Sequence, residues 1–199
     1  MQLGGLILAG GRSQRMGQDK ALLELSGRPL LRRTWDVAQA LTTSVWIVTP
    51  HRDRYQPYLP PTAQWIEEVP VRPDEPGPGP LQAFAQALPQ VASADWILLL
   101  ACDMPKLQAN TLRQWSRNLS QLPPTAIAYL PQTNQGWEPL CGFYRPSCGA
   151  SMRTYLATGQ RSFQAWLDQS HVVPILPVPD EILTNCNTPE DWQSLQQAQ

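Results

Sequence analysis

The chain has 199 residues, 42% of them hydrophobic, and a formal charge of −1; that is enough for one domain with a sizeable core and too little for two ordinary ones. A near-neutral balance removes the electrostatic case for nucleic acid or an anionic membrane surface as partner, so any phosphate binding has to be local. The longest apolar runs, Leu6 to Ala9 and Trp96 to Cys102, fall far short of the ~20 residues of a membrane span, and the start lacks a basic segment followed by an apolar leader, so a cytoplasmic protein is expected.

In chain order, apolar runs rich in β-branched or aromatic residues predict strands at Leu3–Ala9, Val45–Thr49, Gln64–Glu67, Trp96–Ala101, Ala126–Leu130 and Leu140–Tyr144. Between them, apolar residues recurring every three or four positions predict helices over Leu30–Leu41, Leu81–Leu88 and Thr111–Leu119. This alternation predicts a single-domain, Rossmann-like α/β fold over residues 1–199, with a mostly parallel central sheet and helices on both faces. Leu6-Ile7-Leu8 and Ile97 to Leu100 are continuously apolar, as central strands buried on both sides should be. In such sheets ligands bind beyond the carboxyl ends of the strands, which directs attention to the residues just after each one. Pro70 to Pro80, rich in proline and glycine, is expected to be a shaped loop. The four cysteines, Cys102, Cys141, Cys148 and Cys186, form no CxxC pair and read as buried thiols.

The turn after the first strand, Gly10-Gly11-Arg12-Ser13-Gln14-Arg15-Met16-Gly17-Gln18-Asp19-Lys20, combines three glycines with three cations. Glycines permit close backbone approach to an anion, and Arg15 and Lys20 can neutralise a triphosphate. Only one other lysine, Lys106, occurs in the chain. Neither GxxxxGK[ST] nor GxGxxG is present, which excludes a P-loop and a dinucleotide fingerprint. After the fourth apolar run, Asp103 is followed two residues later by Pro105, which ends the strand and leaves a carboxylate at the crevice. One carboxylate opposite a cationic loop suits Mg2+, which takes one or two carboxylates plus substrate phosphates; a turn-forming aspartate is the alternative.

Leu8-Ala9-Gly10-Gly11, Arg15-Met16-Gly17 and Asp19-Lys20 together resemble the signature of molybdenum cofactor guanylyltransferases, which join GMP from GTP to a molybdopterin-type cofactor. The resemblance implies a nucleotide-diphospho-sugar-transferase-like fold. It implies that Leu8, Ala9, Gly10 and Gly11 line the nucleotide, that Arg15 and Lys20 hold phosphates, and that Asp103 binds magnesium and nucleotide. Cytidylyltransferases for the same cofactor usually carry alanine where this chain has Gly10, so that position favours guanine. Glu68 stands where the family has an aspartate that contacts nucleotide; an exposed strand-end glutamate is the alternative. The family's asparagine after the second strand falls at Thr49 or His51, and that role is left unassigned. Gly79-Pro80-Leu81 matches a family Gly-Pro-Leu before a helix, where backbone N–H groups can face the nucleotide. Asn185-Cys186-Asn187-Thr188-Pro189-Glu190-Asp191 matches the family's Asn-x-Asn-Thr-Pro-Glu. Thr188, Pro189 and Asp191 suffice to start a helix; Asn185 and Asn187 are the surplus and, by the resemblance, contact the pterin substrate. Arg161 sits where the family places an arginine suited to a substrate phosphate, against a solvated arginine between helices. Molybdoenzymes or their chaperones are the implied recipients of product. The rival readings are a cytidylyltransferase, a sugar-phosphate nucleotidyltransferase of the same fold, and a non-catalytic nucleotide-binding adaptor in cofactor delivery.

Overall fold

The two continuously apolar runs become the middle of the sheet. The computed structural model describes residues 1–10, 19–69, 79–179, 181–186 and 188–197. In it β1 (Leu3–Leu8) and β6 (Trp96–Ala101) lie side by side in parallel. Successive side chains point to opposite faces, and both faces are covered. Ile7, Leu98 and Leu100 enter one core, while Leu6, Ile97 and Leu99 enter the other. Burial of each such side chain contributes roughly 1.5–3 kcal/mol, which is why neither strand can alternate with polar residues.

Beyond β1, the parallel run continues through β4 (Ser44–Thr49) and β5 (Gln64–Glu67). Beyond β6 the sheet changes character. β9 (Cys141–Tyr144) runs antiparallel to β6 and to β7 (Ala128–Thr133), and β10 (Val172–Ile175) returns to a parallel pairing on β7. The order is β10-β7-β9-β6-β1-β4-β5, with β8 (Gly136–Trp137) paired to β7. The expected mostly parallel sheet is thus present, with an antiparallel strand inserted beside its centre. A separate hairpin joins β2 (Glu24–Leu25) to β3 (Arg28–Pro29).

Helices cover both faces. α1 (Leu30–Gln39) and α4 (Ala109–Ser116) pack Leu31, Trp35, Ala38, Leu112 and Trp115 into the first core. α3 (Pro80–Val91), α5 (Cys148–Ala157) and α6 (Phe163–Leu167) close the second. α3 shows the sequence logic: Leu81, Phe84, Leu88 and Val91 recur at three and four residues and are all buried. The helix begins at Pro80, whose fixed φ suits a first helical position. It runs on through Pro89, beyond the expected end at Leu88, because a missing N–H so near the last turn removes only one helix bond. The short α2 (Arg52–Tyr55) follows β4.

α7 (Pro189–Gln197) starts as its sequence predicts. The Thr188 N–H donates to Asp191 Oδ2 at 2.8 Å and the Asp191 N–H donates to Thr188 Oγ1 at 3.2 Å, a reciprocal capping box. Leu195 of this helix packs with Leu23, Leu25, Leu30 and Cys186 in a small third core. All four cysteines are buried and free. Among the described residues no helix is long and apolar enough to cross a membrane.

Candidate active site

Leu8, Gly10, Glu68 and Asp103 fall at the carboxyl ends of β1, β5 and β6, which are neighbours or near neighbours in the parallel half of the sheet. Leu8 closes β1, and the Ala9 N–H donates to the Val48 carbonyl at 2.9 Å, carrying the ladder one residue further. Gly10 then passes directly beneath Glu68. An added Cβ at Gly10 would collide with Glu68 Oε2 and would lie 3.0 Å from Pro50 Cδ, so glycine is what lets the loop and this carboxyl share the space.

Glu68 is only 8% exposed, which excludes the exposed strand-end alternative. Its N–H donates to the Thr49 carbonyl at 3.2 Å, and the next residue is clamped by α3: the Val69 N–H donates to Gln86 Oε1 at 3.2 Å while Gln86 Nε2 donates to the Val69 carbonyl at 2.8 Å. Burial pushes the Glu68 carboxyl above the ordinary glutamate range. Thr49 itself is buried and its Oγ1 accepts from the His51 N–H at 3.0 Å, a turn-stabilising role, and His51 is exposed.

Lys20 stands on a 3-10 turn, Lys20–Leu22, capped by Asp19. The Asp19 carboxylate is heavily engaged. Oδ1 accepts from the Ala21 N–H at 3.1 Å, and Oδ2 accepts from Tyr55 Oη at 2.9 Å and from Arg54 Nη1 at 3.1 Å. Asp19 therefore fastens the end of the glycine loop to α2 and sets where Lys20 begins. The sequence showed Asp19 in the motif but gave no sign of these partners.

Asp103 follows β6. Its Oδ1 is sealed from solvent and has no hydrogen-bond partner. Burial raises its pKa, and the Lys20 ammonium and a bond from its own backbone N–H oppose that rise. Lys20 thus lies close enough to Asp103 for its charge to be felt there. The Asp103 carbonyl accepts from the Cys186 N–H at 2.8 Å, which draws Asn185 into the same place. Asn185 Oδ1 is likewise buried and unpartnered, and the Asn185 side chain favours the charged form of Glu138. Glu138 was absent from the sequence reading. Its carboxyl is pushed up by burial first and by the Asp103 charge second, and bonds from the Leu140 N–H and from Asn185 oppose the rise.

Cys102, beside Asp103, is no nucleophile: burial, then the Asp103 and Asp19 charges, hold its thiol far above the ordinary range. Gly79 is the residue before α3, at φ +78°, a conformation that favours glycine. Arg161 is exposed and donates from Nη1 to the Leu156 and Gln160 carbonyls at 2.9 and 2.8 Å; its contacts are to the end of α5 and not to the strand ends. Gly11, Arg15, Asn187 and the segment 70–78 lie outside the described residues.

Among the described residues, carboxylates and a lysine meet at the carboxyl ends of a largely parallel sheet, a setting that suits a nucleotide, and comparison with known proteins agrees. Residues 5–173 match the MobA-like NTP transferase domain. Over 198 residues the chain is 52% identical to a Synechococcus elongatus protein named "Probable molybdenum cofactor guanylyltransferase", covering 98% of this chain and 99% of that one. This chain belongs to the MobA-like NTP transferase family. It is accordingly a nucleotidyltransferase. Among solved structures, the molybdopterin-guanine dinucleotide biosynthesis protein A of Archaeoglobus fulgidus superposes with a TM-score of 0.77 at 18% identity, over 98% of this chain and 97% of that one. A Mycobacterium tuberculosis protein solved in complex with manganese superposes at 0.66 with 17% identity, over 100% of both chains. At such identities these likenesses establish the shared fold of this MobA-like chain.

Proposed function

We propose that this chain, as one nucleotidyltransferase domain over residues 1–199, transfers GMP from GTP to a molybdopterin-type cofactor in the cytoplasm and releases pyrophosphate. The observation that carries the reading is Asp103: a half-buried residue just after the central strand, with one carboxylate oxygen sealed from solvent without a partner and Lys20 as its neighbouring cation. An unpaired buried carboxylate oxygen is costly, and a hard divalent cation is the partner such an oxygen fits best. The Archaeoglobus and Synechococcus names supply the substrate class, and the buried free thiols suit a reducing compartment.

Each residue then has a task. Asp103 would hold Mg2+, which would supply positive charge against the phosphates. Lys20, placed by the Asp19 cap, would sit against the triphosphate, and Arg15 in the glycine loop would add a second cation. Leu8, Ala9, Gly10 and Gly11 would wall the nucleoside. Glu68 would read the base, because a carboxylate accepts from two adjacent N–H groups, the arrangement that guanine offers at N1 and its 2-amino group. Gly79 would bring the start of α3 against the nucleotide. Asn185 and Asn187 would contact the pterin and Arg161 its phosphate, with molybdoenzymes or their chaperones receiving the product. The acceptor phosphate is already anionic at neutral pH, so alignment and charge neutralisation do the chemistry and no strong general base is required.

Calorimetry with GTP, CTP and ATP, with and without Mg2+, on wild type and Asp103→Ala tests this reading. Selective GTP binding that Mg2+ strengthens only when Asp103 is present, with pyrophosphate release on adding cofactor, is the expected result. A preference for CTP, or a magnesium effect indifferent to Asp103, would overturn it.

A further inference from the structure

At the end of β4, Thr49 Oγ1 accepts from the His51 N–H, and His51 is exposed. The next buried side chain along the chain is Tyr55 of α2, only 2% exposed. Tyr55 belongs to the first core together with Ala9 and Ala21, which lie on either side of the glycine loop in sequence. Its hydroxyl donates to Asp19 Oδ2 at 2.9 Å, across 36 residues of chain. Burial first, then the Asp19 charge and the bond to it, push the phenol far above its ordinary range, so Tyr55 remains a donor.

The two oxygens of Asp19 have separate tasks. Oδ1 accepts from the Ala21 N–H at 3.1 Å and caps the turn that begins at Lys20. Within that turn the Leu22 and Leu23 N–H groups donate to the Asp19 and Lys20 carbonyls at 3.0 and 3.2 Å, so its backbone moves as one piece. Oδ2 fastens the piece to α2 through Tyr55 and Arg54. The Arg54 side chain is 54% exposed, and a solvated ion pair holds weakly. Tyr55 instead offers a rigid, buried ring and a charge-assisted bond. The start of the loop is fixed from the same strand, since the Ala9 N–H donates to the Val48 carbonyl at 2.9 Å. β4 and the helix after it thus hold Ala9 on one side of the loop and Asp19 on the other.

We propose that Tyr55 is a positioning residue for nucleotidyl transfer: acting through Asp19, its hydroxyl sets where the Lys20 ammonium meets the triphosphate, with Arg54 as the lesser partner. This rests on the reading of Lys20 as a triphosphate contact. Misplacing an aligned group by about 1 Å can cost about 10²-fold in rate, so a hydroxyl that never touches the nucleotide still governs how well it is held. The stretch after β4 serves the cleft in this way from behind, through the turn that carries the lysine.

A double-mutant cycle in triphosphate binding tests the proposal without relying on turnover. Wild type, Tyr55→Phe, Lys20→Ala and the double variant are titrated by calorimetry with GTP, CTP and ATP in Mg2+, and the cycle is read on whichever binds most tightly. Tyr55→Phe keeps the buried ring and removes only the hydroxyl. It should weaken binding about tenfold in the wild-type background and less than about twofold once Lys20 is alanine, the signature of a residue that acts through the lysine. Arg54→Ala should weaken binding about threefold, again only while Lys20 is present. Tyr58→Phe, on the exposed turn that follows α2, should bind as wild type does. Thermal unfolding of each variant checks that it is folded, and Arg54→Ala carries the test should Tyr55→Phe not fold. Equal weakening by Tyr55→Phe in both backgrounds, or none in either, would refute the positioning role and leave Lys20 standing. Wild-type affinity in Lys20→Ala would overturn the reading of Lys20 and the proposal with it.

Discussion

Replacing Gly10 by alanine tests the contact on which the base-reading corner depends. Gly10 does not occupy the left-handed region, so alanine is conformationally acceptable there and, with free space around it, would stabilise the fold by about 0.4–1 kcal/mol. Space is what it lacks. The new methyl would run into the Glu68 carboxyl and press on Pro50 Cδ, and Glu68 is confined by β5, Thr49 and the Gln86 clamp on its neighbour. Overpacking of this kind costs about 1–3 kcal/mol. With about 2–4 °C per kcal/mol for a chain of this size, the unfolding midpoint should fall by roughly 2–12 °C. Because Glu68 must shift, GTP affinity should drop more than CTP affinity. The double variant Gly10→Ala/Glu68→Ala should recover much of the lost stability, with a coupling energy of about 0.5–3 kcal/mol. Thermal denaturation and calorimetry on the four proteins of this cycle provide the measurement. A Gly10→Ala variant as stable as wild type, or strictly additive with Glu68→Ala, would refute the reasoning.

Lys20→Ala and Asp103→Ala should each lower turnover by at least ~10²-fold, the scale of a lost electrostatic contact to a developing charge; steady-state pyrophosphate release with GTP and cofactor checks this, and near wild-type rates would remove either residue from the site. Burial raises the Glu68 carboxyl in the folded state, so folding favours its protonated form, and the stability this gives is present below the ordinary glutamate range and lost as pH rises through the raised value. Glu68→Gln should therefore raise the midpoint of nucleotide-free protein at pH 7, with the gain disappearing near pH 4; a gain independent of pH would contradict the assignment. Asp19→Ala removes a cap worth about 0.5–2 kcal/mol and strips the buried Tyr55 hydroxyl of its acceptor. Both the unfolding midpoint and GTP affinity should fall, and unchanged affinity would show that Asp19 does not position Lys20.

Much of this was legible in one dimension because the relevant signals are local. Leu6-Ile7-Leu8 and Leu98-Leu99-Leu100 announce strands buried on two sides, Asp103 before Pro105 announces a strand-end carboxylate, and Thr188 with Asp191 announces a capped helix; each is decided within a few residues. What escaped depends on who becomes whose neighbour. The encounter of Gly10 with Glu68 exists only because β4 lies between β1 and β5, and the strand on the other side of β6, β9, runs backwards. No periodicity encodes the direction of a four-residue strand. α5 was missed for a different reason: Cys148-Gly149-Ala150-Ser151 opens it with small, weakly patterned residues, and burial against α3 decides what propensity does not. Arg161 matched a motif by position, and no local signal told that its guanidinium also bonds the Leu156 and Gln160 carbonyls.

The bond from the Cys186 amide to the Asp103 carbonyl has a temporal side. A ribosome delivers β1, β6 and the glycine loop early, yet the turn bearing Asp103 gains this tie, and Asn185 joins it, only when the segment leading into α7 has emerged. The small core of Leu195, Cys186 and the β2–β3 hairpin then locks a later-made segment onto an earlier one. Until then the carboxylate would be loosely seated, and emergence of that segment would itself be the step that sets the site.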